Sequence, residues 1–178
     1  MIRSSLKVSV ALLAAMSLPA AFAAPKPPND PAKDLLQDVR SLAAAAADNA
    51  DNLKAHLAEA QCDSECHLTY LDALKDETNK MGKDIATLQR ERDTLPDWEQ
   101  HAIDRVFPML QADAADISKE MAFYNENQNR TWDPEQIGVA NDAEDQTGRI
   151  AAVLKNYLTS EKLREKQAAA QARIQTGD

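Results

Sequence analysis

Apolar residues recur at every third or fourth position through most of the chain, and this spacing predicts amphipathic α-helices. Four segments carry the pattern, at about residues 31–60, 65–92, 95–124 and 133–158. The stripe of the first segment comprises Leu35, Val39, Leu42, Ala46, Ala50, Leu53, Leu57 and Ala60. The stripe of the second comprises Leu71, Leu74, Thr78, Met81, Ile85 and Leu88, which is the spacing of a heptad seam. The stripe of the third comprises Trp98, Ala102, Val106, Leu110, Ala114, Ile117, Met121 and Tyr124, and that of the fourth comprises Ile137, Ala140, Thr147, Ile150, Ala151, Leu154 and Leu158.

Prolines mark the predicted beginnings of three helices. Pro31, Pro96 and Pro134 stand where a helix needs no backbone donor, and Asp133 is an N-cap with Gln136 three residues after it. Pro108 instead lies inside the third segment and cannot donate to the carbonyl of the preceding turn. We therefore expect either a kink between Asp104 and Pro108 or two shorter helices separated at Phe107.

The helical region has different composition on each side. Residues 24–32 contain four prolines and form an extended leader, whereas residues 159–178 are polar and form either a frayed extension of the fourth helix or a disordered tail. Between them, residues 33–158 hold four helices with short connections. The simplest arrangement is an all-α, antiparallel up-down-up-down four-helix bundle.

Residues 1–23 have the features of a secretory signal peptide. Arg3 and Lys7 supply a positive start, an apolar stretch follows, and Ala21-Phe22-Ala23 fits the small-residue cleavage motif. The apolar stretch is too short to span a bilayer comfortably, which argues against a retained membrane anchor. We expect export to a periplasm or full secretion, with cleavage after Ala23.

Composition narrows the classes of function. With 4 Gly in 178 residues, the chain cannot supply the turns of a many-stranded sheet or a glycine-rich phosphate loop. The net charge is -9, and removing the signal leaves 18 of the 20 Lys and Arg against 29 Asp and Glu, a net charge of -11. So acidic a chain is a poor partner for nucleic acid or for an anionic membrane.

The segment with the most distinctive chemistry runs from Gln61 to His67 and contains both cysteines of the chain. In an oxidising compartment, Cys62 and Cys66 are expected to form a disulfide, which would join the end of the first helix to the beginning of the second. Closing so short a loop contributes only about 2 kcal/mol in the chain-entropy model. The bond would fix the geometry of this hairpin more than it would stabilise the fold.

Two alternatives use the same segment. Its C-x-x-x-C-H pattern resembles the C-x-x-C-H attachment signature of c-type haem, with one additional residue, and the resemblance implies covalent haem on Cys62 and Cys66 with His67 as an iron ligand. The other alternative is a transition-metal site, since two thiolates and an imidazole suit zinc or copper.

A second, weaker candidate is a binding surface that contains Trp98, His101 and Trp132. Asp97, His101 and Asp104 share one helix face, so an acid could orient the imidazole. The competing interpretation, which we favour, is a solvated helix start held by ion pairs, with Trp132 covering the end of the bundle.

The sequence favours a protein without a catalytic role. We find no nucleophile placed beside a base, and no Glu-x-x-His motif of the kind that ferritin-like bundles use. The leading hypothesis is an exported, non-enzymatic interaction, scaffold or chaperone-like protein without a cofactor, which binds a protein partner or self-associates. The alternative is an electron-transfer or metal-binding protein that uses Cys62, Cys66 and His67.

Overall fold

A computed structural model describes residues 30–58, 63–127 and 134–176. Within these ranges the protein is all-helical, which confirms the predicted class. The four helices are α1 (Pro31–Ala58), α2 (Ser64–Glu91), α3 (Asp97–Glu126) and α4 (Pro134–Thr176), and a short 3-10 turn, Arg92–Thr94, links α2 to α3. The predicted signal peptide, the leader before residue 30, and Cys62, Trp132 and Asp133 lie outside the described residues.

The four helices pack around one shared core. The main contacts of α1 are with α2 and α4, and those of α3 are with the same two helices. This arrangement is consistent with a four-helix bundle. Its largest fully buried apolar side chains are Leu36, Leu53, Leu71, Leu74, Met81, Ile85, Leu88, Ile103, Ile150 and Leu154.

The buried face of α1 is wider than its predicted stripe. Leu36 and Ala43 are fully buried, whereas Leu35 and Leu42, which the stripe includes, are only partly buried. The reason is that α1 packs against two helices at once, so side chains on both flanks of the stripe meet a neighbour. The core includes the alanines at 43, 46 and 50, whose small side chains allow close helix approach.

The predicted seam of α2 is confirmed, because all six of its residues are buried. Two members of the buried face are polar: Thr78 and, one turn before the seam, His67. Both face α3, as the contacts described below show. The polar pattern of the core is therefore centred on the contact between α2 and α3.

Helix α3 continues through Pro108 without a break, so the alternative of two shorter helices is wrong. Pro108 is exposed, so the backbone groups that its ring leaves unbonded lie on the solvent side of the helix. The helix begins one residue later than predicted, with Pro96 as the N-cap and Asp97 as the first helical residue.

Helix α4 has 43 residues, while α1 has 28. At about 1.5 Å per residue, α4 is about 64 Å long. Lys33, near the beginning of α1, forms an ion pair with Glu165, and α4 continues to Thr176 beyond that pair. Of the two descriptions of residues 159–178, the structure has the helical extension as far as Thr176, and its surface is largely exposed.

Candidate functional site

The first turn of α2 sets the positions of Cys66 and His67. Asp63 is the N-cap, and its Oδ1 accepts a hydrogen bond from the backbone N–H of Cys66 at 2.9 Å. This bond satisfies a backbone donor that has no partner within the helix. In this first turn Cys66 is partly buried, while His67 is fully buried in the core.

His67 contacts two residues of α3. Its Nε2 lies 3.7 Å from Oε1 of Glu120, and its ring meets that of Tyr124 edge to face with 5.3 Å between the centroids. Glu120 and Tyr124 are four residues apart and therefore share a face of α3. The imidazole and the carboxyl group are 0% and 5% exposed, so the pair lies in the core and not at the surface.

A cavity of about 10 Å³ lies beside Glu120. Its wall includes Leu71 and Leu74 of α2 and Ile117 of α3. This volume is about that of one water molecule, and it is too small for a substrate. This cavity beside Glu120 therefore has no room for a small-molecule reactant.

A second buried polar contact joins α2 to α3, about three turns later on α2 and two turns earlier on α3. The Thr78 hydroxyl donates to Oδ2 of Asp113 at 2.9 Å, and Asp113 is 1% exposed. Oδ1 of Asp113 has no hydrogen-bond partner within the described residues. Burial raises the pKa of Asp113 to about 6, although the hydrogen bond from Thr78 opposes that rise.

Three acidic residues of α3 are buried, and the sequence analysis did not predict the burial of any of them. Glu99, Asp113 and Glu120 are 0%, 1% and 4% exposed. Glu99 lies in the first turn of α3, where the sequence predicts a solvated helix start, so that interpretation does not hold for its side chain. The three lie 14 and 7 residues apart, with Val106 at the intervening position, so they occupy one heptad position on the buried face of α3. The heptad spacing is the sequence feature that could have predicted the burial of these acids.

The structure describes two of the three residues of the predicted haem or metal site, Cys66 and His67. His67 points into the core toward Glu120, and Cys66 is not a free thiol. Cys62 lies outside the described residues. Across residues 30–58, 63–127 and 134–176, no group of three or more His, Cys, Asp and Glu side chains is placed to hold a metal ion.

The structure describes two of the three residues of the predicted binding surface, Trp98 and His101. Trp98 is 9% exposed and packs in the core, whereas His101 is exposed, so the two do not form one surface. Trp132 lies outside the described residues. Asp104 is bound by Arg92, with distances of 2.7 Å and 2.5 Å to its two oxygens, and this pairing holds the pKa of Asp104 below its usual range. This ion pair supports the interpretation of the region as a solvated helix start.

No protein-family model matches this chain, and neither a curated protein nor a solved structure matches it. Among the described helices, none combines the length and the apolar character needed to cross a bilayer.

Proposed function

We propose that the protein is an exported helical bundle, periplasmic or secreted, that acts by binding a protein partner or a second copy of itself and not by catalysis. The observation that carries the proposal is the exposed apolar character of the α4 extension. Leu163 and Ile174 are 54% and 80% exposed, and they are the large apolar side chains that the described surface presents to solvent. The buried polar residues His67, Thr78, Asp113 and Glu120 instead contact one another in pairs.

The proposal includes an antiparallel up-down-up-down topology. Residue numbers rise along one helix as they fall along its neighbour: Lys33 pairs with Glu165, and Lys54 of α1 pairs with Glu144 of α4. The same relation holds between α2 and α3, where His67 meets Glu120 and Thr78 meets Asp113. This order of contacts is what an up-down-up-down bundle requires.

The proposal also includes a disulfide between Cys62 and Cys66. Cys66 is not a free thiol, and Cys62 is the one other cysteine of the chain. His56 near the end of α1 stacks on Tyr70 of α2, with 5.6 Å between the ring centroids, so this end of the hairpin is closed by ring contact as well. Export through the signal of residues 1–23 would supply the oxidising compartment that the bond needs.

The disulfide predicts a defined intact mass. Protein purified from the periplasm should begin at Ala24, weigh two hydrogens less than its sequence and show no thiol before reduction. Replacing both Cys62 and Cys66 by Ser should lower the free energy of unfolding by about 2 kcal/mol, as measured in denaturant titrations. A mass increase equal to one haem, or two free thiols with bound metal, would instead establish the electron-transfer or metal-binding alternative.

The interaction proposal depends on a stripe at the end of α4. Leu163 and Ile174 are 11 residues apart, which is close to three helical turns, so they lie on one side of the helix. Ala170 lies on the same side between them. A partner that covers this stripe would remove two large apolar side chains from water, and each such burial contributes about 1.5–3 kcal/mol.

Charged residues on the stripe should abolish the interaction. We expect the pair Leu163→Glu and Ile174→Glu to weaken self-association in sedimentation velocity, or co-purification of a partner after cross-linking in cells, by at least about tenfold. The pair Ala168→Glu and Ala169→Glu adds the same charge away from the stripe and should leave association unchanged. Equal loss in both variants, or a native chain that is monomeric and captures nothing, would refute the proposal.

A further inference from the structure

A groove of about 240 Å³ lies between the beginning of α1 and the latter half of α4. Four of the side chains that line it are cations, two from each helix, and none is an acid. The cations are Lys33, Arg40, Lys155 and Lys162, and the remaining lining residues are Gln37, Leu158 and Thr159. A concentration of positive charge is unexpected by chance in a chain with 29 acids and 20 Lys and Arg.

Most of this charge is not neutralised by the protein itself. Lys33 binds Glu165 at 3.0 Å. Among the described residues, no carboxylate oxygen lies within 4.0 Å of the charged groups of Arg40, Lys155 or Lys162. By contrast, ion pairs with acidic residues are formed by Lys54, Lys119 and Arg149. Three of the four cations of the groove are therefore free of an ion pair within the described residues.

The cations form two pairs, one on each helix, on opposite walls of the groove. Lys33 and Arg40 are seven residues apart on α1, and Lys155 and Lys162 are seven residues apart on α4. Seven helical residues span about 10.5 Å, so each pair places a cation near each end of the groove. Because Lys33 lies beside Glu165, Lys162 is at the same end as Lys33, and Lys155 is at the end of Arg40.

We propose that this groove binds an anion of the phosphate type that carries at least two negative charges. Arg40 offers the planar fork that suits two oxygens of a phosphate, and the lysines act as point charges around it. Gln37 and Thr159 add neutral hydrogen-bond donors to the same wall. The chemistry is shared by a free phosphorylated molecule and by the phosphate headgroup of a lipid. This binding site goes beyond the proposed interaction through the α4 extension and does not depend on it.

A second groove on α1 offers a matched comparison. It lies between α1 and α2 and contains two cations, Lys80 and Lys83, but also two acids, Asp38 and Asp84. Positive and negative charge are balanced there, so an anion gains little from entering it. Removing two cations from either groove changes the net charge of the protein equally, which separates local binding from overall charge.

Pyrophosphate at low ionic strength is the first probe, measured by isothermal titration calorimetry on the full mature chain. We expect binding to the native protein, a decrease of at least about tenfold in affinity for the double variant Arg40→Gln and Lys155→Gln, and a change of less than about twofold for Lys80→Gln with Lys83→Gln. Added salt should weaken the binding. These side chains are exposed, and circular dichroism would confirm that the variants remain helical.

Vesicles distinguish the two sources of phosphate. Sedimentation with phosphatidate vesicles, whose headgroup is a phosphate monoester, against phosphatidylcholine vesicles, reports the lipid headgroup, while pyrophosphate binding without vesicle binding identifies a free phosphorylated ligand. Either result supports the proposal if it is lost in the variant at Arg40 and Lys155 and kept in the variant at Lys80 and Lys83. Absence of both kinds of binding, or equal loss in the two variants, would overturn it.

Discussion

Replacing His67 by Ala is expected to lower the free energy of unfolding by about 3–5 kcal/mol at pH 7. Two costs add: the fully buried ring leaves a cavity between α2 and α3, and the Glu120 carboxyl loses the imidazole 3.7 Å away. Domains of this size are stable by only about 5–15 kcal/mol, so the loss would be a large share of the total. Guanidinium titration followed by circular dichroism measures it.

The matched control is the exposed histidine of α3. His101→Ala should change the free energy of unfolding by less than about 0.5 kcal/mol, because its side chain is not packed. A double-mutant cycle with His67→Leu and Glu120→Leu isolates the contact itself, and the double variant should be more stable than the two single changes added together. If His67→Ala costs less than about 1 kcal/mol, the buried pair is not a structural contact of the folded protein.

Asp113 is expected to make the protein less stable as the pH rises from 4 to 7. Burial raises the pKa of this carboxyl to about 6 in the folded protein, against an ordinary value of 3.8. The folded state therefore holds the proton more tightly, and the stability that this provides is complete below pH 3.8 and lost as the pH rises through about 6. The difference between the two pKa values corresponds to about 3 kcal/mol.

The variant Asp113→Asn tests this dependence because the amide keeps the shape and the contact with Thr78 but does not ionise. We expect it to match the native protein at pH 4 and to be more stable at pH 7 by up to about 3 kcal/mol, in urea titrations across that range. Its profile should be shallower and not flat, since burial also raises the pKa values of Glu77 and Asp84.

Asp116, one turn further along α3, supplies the control. Lys119 and Gln146 hold its pKa below the ordinary value, so its contribution is present above pH 3.8 and is lost only as the pH falls further. Asp116→Asn should keep most of the slope between pH 4 and 7, because burial is the main cause of the raised pKa of Asp113 and the charge of Asp116 adds less to it. Parallel profiles for Asp113→Asn and the native protein would contradict the assignment.

Both predictions concern polar residues whose burial the hydropathy pattern of the sequence does not predict. The periodicity of α2 was sufficient to predict six buried residues, because a heptad seam of apolar side chains has one way to avoid water. The acidic residues Glu99, Asp113 and Glu120 also follow a seven-residue spacing. Hydropathy alone nevertheless predicts that charged residues are exposed. Only the packing of α3 between α2 and α4 shows that they lie inside.

The same limit applies to the candidate site. The sequence places His67 next to two cysteines, which is why a metal or haem ligand was considered. The side chain that follows a cysteine by one position on a helix points about 100° away from it. Here that rotation brings His67 against Glu120 and Tyr124 of α3, whereas Cys66 remains near the surface of the hairpin.

The sequence by itself determined the helical class and most of the helix boundaries. The 3.6-residue period, the prolines at helix starts and the scarcity of glycine are local properties that need no tertiary contact to act. The tertiary structure decided which polar residues are buried and which cations meet. Lys33 and Arg40 are separated from Lys155 and Lys162 by more than a hundred residues. The net charge of -9 gives no indication that these cations lie together. They share one groove because α1 packs against α4, and burial and charge proximity depend on such packing.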